Sequence, residues 1–106
     1  MTADDVAALV ARELESGGFD NWHGIDGTNI KHHLVRPVLE YYEDGLDHSI
    51  VHRYWTILHE YPESGKGYTV FYSEDDGMFG LAVSGRRARY ASIGLYGSLP
   101  ETLSGM

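Results

Sequence analysis

Six histidines and the two runs of adjacent carboxylates beyond the N-terminal segment are the residues of this chain whose chemistry could be catalytic or metal-binding. His48 and His52 stand four apart, a spacing that would bring two imidazoles to one ion on a helix. The segment IVHRYWTIL, however, is β-branched and aromatic and reads as a strand, where four residues span about 13 Å, too far to share an ion. His52 and His59 differ by an odd number and are expected on opposite faces of that strand. The adjacent His32 and His33 diverge on a helix. No H-E-x-x-H pair or calcium-loop spacing occurs, and the absence of cysteine removes thiolate ligands and nucleophiles. No metal or cofactor is expected.

The carboxylate pairs Glu43/Asp44 and Asp75/Asp76 both fall at expected hairpin tips. General acid–base work needs a carboxyl whose pKa is moved by burial, and a solvated tip does not supply that. There is no G-x-S-x-G elbow; the nearest serine contexts, SGRR and GSLP, are a turn and a helix cap. GGFDNWHG lacks the strand, helix and lysine of a phosphate loop. Arg86, Arg87 and Arg89 in GRRAR read as a solvated turn or as internal partners for acids. The chain carries no enzyme signature and is expected not to be an enzyme.

The elements that must position these residues follow from periodicity and caps. Thr2 with Asp5 forms a capping box, Val6, Leu9, Val10 and Leu14 recur at helical spacing, and Gly17-Gly18 supplies a stop, so residues 3–16 are an amphipathic helix. A second short helix is expected from Thr28 to Val35, ended by Pro37. Strands follow: VLEYYE, the turn-like DGLD, IVHRYWTILHEY, the loop PESGKG, and then GYTVFYSEDDGMFGLAVSG, a hairpin centred on Asp76-Gly77. With a two-residue turn, Tyr72 faces Leu81 and Val70 faces Val83, on one core-facing side with Phe79. Trp55 and Tyr72 are expected to be at least partly buried. ARYASIGLY is a last strand, and Ser98 with Glu101 caps a final helical turn at Leu99–Leu103. The fold class is α+β: an antiparallel meander of about five strands, N-terminal helices on one face, and a short C-terminal helical turn, in one domain over residues 1–106.

Composition is that of a globular chain, 42% hydrophobic and 12% aromatic. Net charge is -8, with ten acids and four bases in residues 1–53 and six and four in 54–106. That sign repels phosphates and speaks against nucleic acid, while it speeds encounter with a basic protein. No run approaches a membrane span, and MTADDVAALVARELES carries acids where a signal peptide carries Lys or Arg, so a soluble cytoplasmic protein is expected. Tyrosines crowd the strand region, and acidic tips flank them. Tyr41 or Tyr42 as anchor, Glu43, Asp44 and Asp47 at one tip, and Glu74, Asp75 and Asp76 at the other form the expected partner-binding surface.

Three segments, GGFDNWHGID, GYTVFYSEDDGMFGLAV and IGLYGSLPETLSGM, resemble small bacterial immunity proteins to polymorphic toxins, including those of contact-dependent growth inhibition systems. The resemblance covers most of the chain, least at residues 38–62, and matches shaping positions: Gly24, Gly77, Gly97 and the Ser98/Glu101 cap. It implies a cytoplasmic monomer that binds the C-terminal domain of its cognate toxin 1:1 and blocks it, such toxins often being nucleases or other enzymes with basic grooves. Two other readings stay open: a small enzyme with a histidine–carboxylate pocket, and a homodimeric interaction domain unrelated to toxins.

Overall fold

A computed structural model describes residues 1–106. Helix α1 spans Ala3–Ser16. The Thr2 hydroxyl accepts the Asp5 N–H at 3.2 Å, the Asp5 carboxylate accepts the Thr2 N–H at 2.8 Å, and Gly17 ends the helix at φ 73°. Val6 and Val10 are buried, with Leu9 and Leu14 partly buried against the same core.

The expected second helix is a single 3-10 turn, Ile30–His32, and the chain is already strand at Leu34. Side chains hold the segment out of a helix. The Asp26 carboxylate accepts the Thr28 N–H at 2.8 Å, and the Asn29 side-chain oxygen accepts the Asp26 N–H at 2.8 Å. The His33 carbonyl then takes the His59 N–H at 3.1 Å, joining the chain to the sheet. Local Asx bonds and strand pairing outweigh helical propensity here.

Five strands follow: β1 (Leu34–Asp44), β2 (Val51–Tyr61), β3 (Lys66–Ser73), β4 (Met78–Ser84) and β5 (Tyr90–Gly97). Sequential neighbours pair antiparallel, giving the expected meander, and helix α2 (Leu99–Ser104) ends the chain on the Ser98/Glu101 capping box. The meander also curls on itself. Tyr42–Asp44 pair parallel with Tyr90–Ser92, closing a small barrel.

Closure creates two apolar cores. Outside the barrel, Trp55, Ile57, Leu58, Val70, Tyr72, Phe79 and Leu81 pack under α1, α2 and the Ile25/Ile30 segment. Inside, each strand contributes one buried apolar or aromatic residue: Tyr42, Tyr54, Phe71, Ala82 and Tyr90. Tyr54 stacks on Phe71 with ring centroids 4.2 Å apart, and Tyr42 on Tyr90 at 4.9 Å. β4 makes room for these rings with Gly80 and Ala82; a Cβ at Gly80 would run into the Phe71 ring and the Gly94 carbonyl. Large residues on four strands opposite small ones on the fifth is how a narrow barrel fills without voids.

The β3–β4 turn has four residues, Glu74–Gly77, so Tyr72 pairs with Phe79 and Val70 with Leu81, two positions from the expected register. A shift of two leaves every side chain on its expected face. In β2 the register breaks at Ile57, between Thr56–Phe71 and Leu58–Val70. This one-residue bulge reverses the parity, so His59 points to the barrel interior with Tyr54 and Thr56, on the same side as His52 rather than opposite it.

Candidate functional site

β1 and β3 run the same way, which puts the β1–β2 connection and the β3–β4 turn at one end of the barrel. Both acidic tips therefore share that end. Between them and the outer half of β5 lies an open cleft of about 800 Å³, whose walls include Asp44, Leu46, His52, Tyr54, Asp75 and Ile93.

The eight expected contact residues divide by environment. Tyr41 is 63% exposed, with the Arg53 guanidinium 5.4 Å above its ring, and can serve as an anchor. Tyr42 and Glu43 are 0% and 1% exposed, so neither offers a contact surface. Tyr42 is a barrel-core ring whose hydroxyl meets the Thr56 hydroxyl at 2.6 Å; burial raises its phenol far above the ordinary range. The Thr56 hydroxyl in turn donates to Glu40. Glu43 points out of the barrel on the opposite face and clamps the β4–β5 connection, accepting the backbone N–H of Arg86 and of Arg87, the latter at 2.8 Å, and bonding His48. Burial pushes the Glu43 carboxyl up, but those N–H donors and His48 outweigh it and hold the carboxyl below its usual range.

Asp44 and Asp47 shape their own tip. Asp44 accepts the N–H of Leu46 at 2.8 Å and of Asp47 at 3.1 Å, and Asp47 accepts the Ser49 hydroxyl at 2.6 Å. For Asp44 the two backbone N–H groups and then His52 hold the carboxyl low; for Asp47 the Ser49 hydroxyl and N–H do. At the other tip Glu74 binds the Trp55 indole N–H at 2.9 Å, and this bond, joined by the N-terminal amine, holds its carboxyl low. Asp76 accepts the Ser73 hydroxyl at 2.7 Å. Asp75 has no hydrogen-bond or ion-pair partner and is exposed, the one acid of the three that the turn does not use.

Sequence reasoning missed the apolar part of this end. Leu46 is 100% exposed between Asp44 and Asp47, Val51 is 55% exposed, and Ile93 and Leu95 are 46% and 38% exposed on β5. The signal was present in DGLD: a leucine at the tip of a short turn has no interior to point into.

The histidines are distributed over separate partners. His52 stacks on Tyr54 at 5.3 Å and lies 3.3 Å from Asp44, each about one-third exposed on the cleft wall. His59 sits inside the barrel, 3.1 Å from the Thr69 hydroxyl and 3.5 Å from the Tyr90 hydroxyl; burial and then Arg89 push its pKa down, against Glu40. No three His, Cys, Asp or Glu side chains converge as a metal site. No helix is long and apolar enough to cross a membrane. Of the expected basic cluster, Arg86 and Arg87 meet Glu43 through backbone N–H, and Arg89 lies 3.7 Å from Glu40 and over the Tyr90 ring.

No protein-family model, curated protein or solved structure matches the chain.

Proposed function

We propose that this chain is an immunity protein: a cytoplasmic monomer that binds the basic C-terminal domain of a cognate bacterial toxin 1:1 and blocks it, with no bond made or broken. The observation that carries the reading is Leu46, wholly solvent-exposed on an acidic lip and facing the Asp75 tip across the cleft. An apolar anchor ringed by charge is the anatomy of a protein interface, apolar at its centre and polar at its rim. The net charge of -8 selects a basic partner and accelerates encounter.

The test is co-expression with the C-terminal domain of a toxin-like reading frame adjacent to the gene, scored by cell survival and co-purification. Leu46→Asp should weaken binding about thirtyfold or more, a hot-spot loss of about 2 kcal/mol. Asp75→Lys should mainly slow association and flatten its salt dependence. If both folded variants protect and co-purify like the parent, this surface is not the one used.

One observation favours the enzyme reading: His52 and Asp44 meet on a concave wall. Against it, Asp44 is held ionised by two backbone N–H groups, unlike a carboxyl tuned to exchange a proton at neutral pH. One hydroxyl on the wall, that of Ser73, is already bonded to Asp76. His52→Gln leaving toxin protection intact agrees with the binding reading; a turnover activity abolished by that change would replace it.

A further inference from the structure

Along the seam of the barrel β1 and β5 are paired for three residues only, Tyr42–Asp44 with Tyr90–Ser92. One more bond, from the Gly45 N–H to the Ser92 carbonyl at 2.8 Å, ends the contact. Each strand therefore overhangs the other. The β1 overhang, Leu34–Tyr41, pairs with β2 alone and carries Pro37, which has no N–H to donate, beside the charge of Arg36. Proline and charge are two of the devices, with β-bulges, that keep an exposed edge from pairing with another chain.

The β5 overhang has neither proline nor charge. It reads Ile93-Gly94-Leu95-Tyr96-Gly97, with β4 on one side and no strand on the other. Ile93, Leu95 and Tyr96 are all more than one-third exposed, and Ile93 and Leu95 line the cleft. Uncharged backbone donors and acceptors beside exposed apolar side chains form the template to which an extended chain adds.

We propose that Ile93–Gly97 receives an extended segment of the partner as a sixth strand, with basic side chains alternating with apolar ones. The inference rests on the docking reading above and specifies how the partner sits. Charge names the occupant. Basic side chains of the segment would meet Asp44, Asp47 and Asp75, and apolar ones Leu46, Val51 and Ile93; Leu95, which pairs with Gly80 beyond the register break at Ile93, lines the barrel mouth beside them. A second copy of this chain would bring its own acidic lips against these, at net charge -8 on each. Register breaks at Ile93 and Tyr96 twist the overhang, so the added segment is short, about three to five residues.

The test uses the intact isotope-labelled protein and two end-blocked peptides of about seven residues. One alternates lysine with valine; the other replaces each valine by proline, keeping the charge but removing the ladder. The Lys-Val peptide should slow amide exchange within Ile93–Gly97 about tenfold or more at saturation, and the Lys-Pro peptide should not. Leu95→Lys should abolish that protection, while Val38→Lys on the other overhang should leave it unchanged. Equal binding by both peptides, with resonances moving at Asp44 and Asp75 but no protection on β5, overturns strand addition and leaves the acidic docking surface standing. No binding by either peptide overturns strand addition, and the co-expression assay then decides separately whether that surface binds a protein. Protection that grows with protein concentration and no peptide makes a second copy the occupant and overturns it as well.

Discussion

Glu74 uses both carboxylate oxygens inside the molecule, one on the Trp55 indole at 2.9 Å and the other facing the Met1 amine at 3.3 Å. Asp76 is likewise engaged, with Ser73. Three acids in a row at one turn thus do different things, and only Asp75 is free for a partner. Asp75→Lys should change folding stability by less than about 0.5 kcal/mol, whereas Asp76→Ala should lose roughly 1 kcal/mol with its hydrogen bond. Urea denaturation of the two variants separates the roles, and equal losses would contradict them. Tyr42 gives the buried counterpart. Tyr42→Phe keeps the ring packing and the Thr56–Glu40 bond but removes the hydroxyl that donates to Thr56, and should lower stability by about 1 kcal/mol in the same assay.

The elements depend on two constraints that pull adjacent residues in opposite directions. Tyr42 fills the barrel while Glu43, one step on, ties the β1 end to the β4–β5 connection. Glu43→Gln should therefore speed hydrogen exchange at the Arg86 and Arg87 amides while leaving the α1 amides unaffected; uniform acceleration across the fold would show that the clamp is not local. β4 is constrained by smallness. Gly80→Val drives a side chain into Phe71 and the Gly94 carbonyl and should destabilise by about 1 to 3 kcal/mol or prevent folding. At the chain end, Ser98→Ala should remove about 1 kcal/mol by freeing the Glu101 N–H.

For the whole molecule, the shifted carboxylates and His59 set one direction of pH dependence on the acid side. Asp5, Asp26, Glu43, Asp44, Asp47 and Glu74 have folded pKa values below their ordinary ones, so the stability they contribute is present above the ordinary carboxylate range and is lost as pH falls through the folded values. His59 is also lowered. As pH falls below about 6.5 the unfolded chain takes up that proton before the folded one does, and stability begins to decline there. Tm should be flat from about pH 8 to 7, fall gently below about 6.5, and fall steeply below about 4. His59→Gln, whose amide can still meet Thr69, should lessen the gentle limb; an unchanged limb would place its origin elsewhere.

Helix α1, the α2 cap, the antiparallel meander and the inward faces of the β3–β4 hairpin are all set by local chemistry, and residues such as Thr2, Ser98, Tyr72 and Phe79 announce them by spacing alone. Even the misjudged turn length left Val70 and Leu81 on the right face, because side-chain direction repeats every two residues. Closure into a barrel was different: it joins Tyr42 to Tyr90 across 48 positions, and no short window contains that pairing. Closure buried Tyr42, gave Phe71 an interior, left β5 overhanging and set both acidic tips around one cleft. The Ile57 bulge, a single extra residue, turned His59 inward. Periodicity tells which side of a strand a residue takes, but whether that side meets water depends on what the rest of the chain places against it.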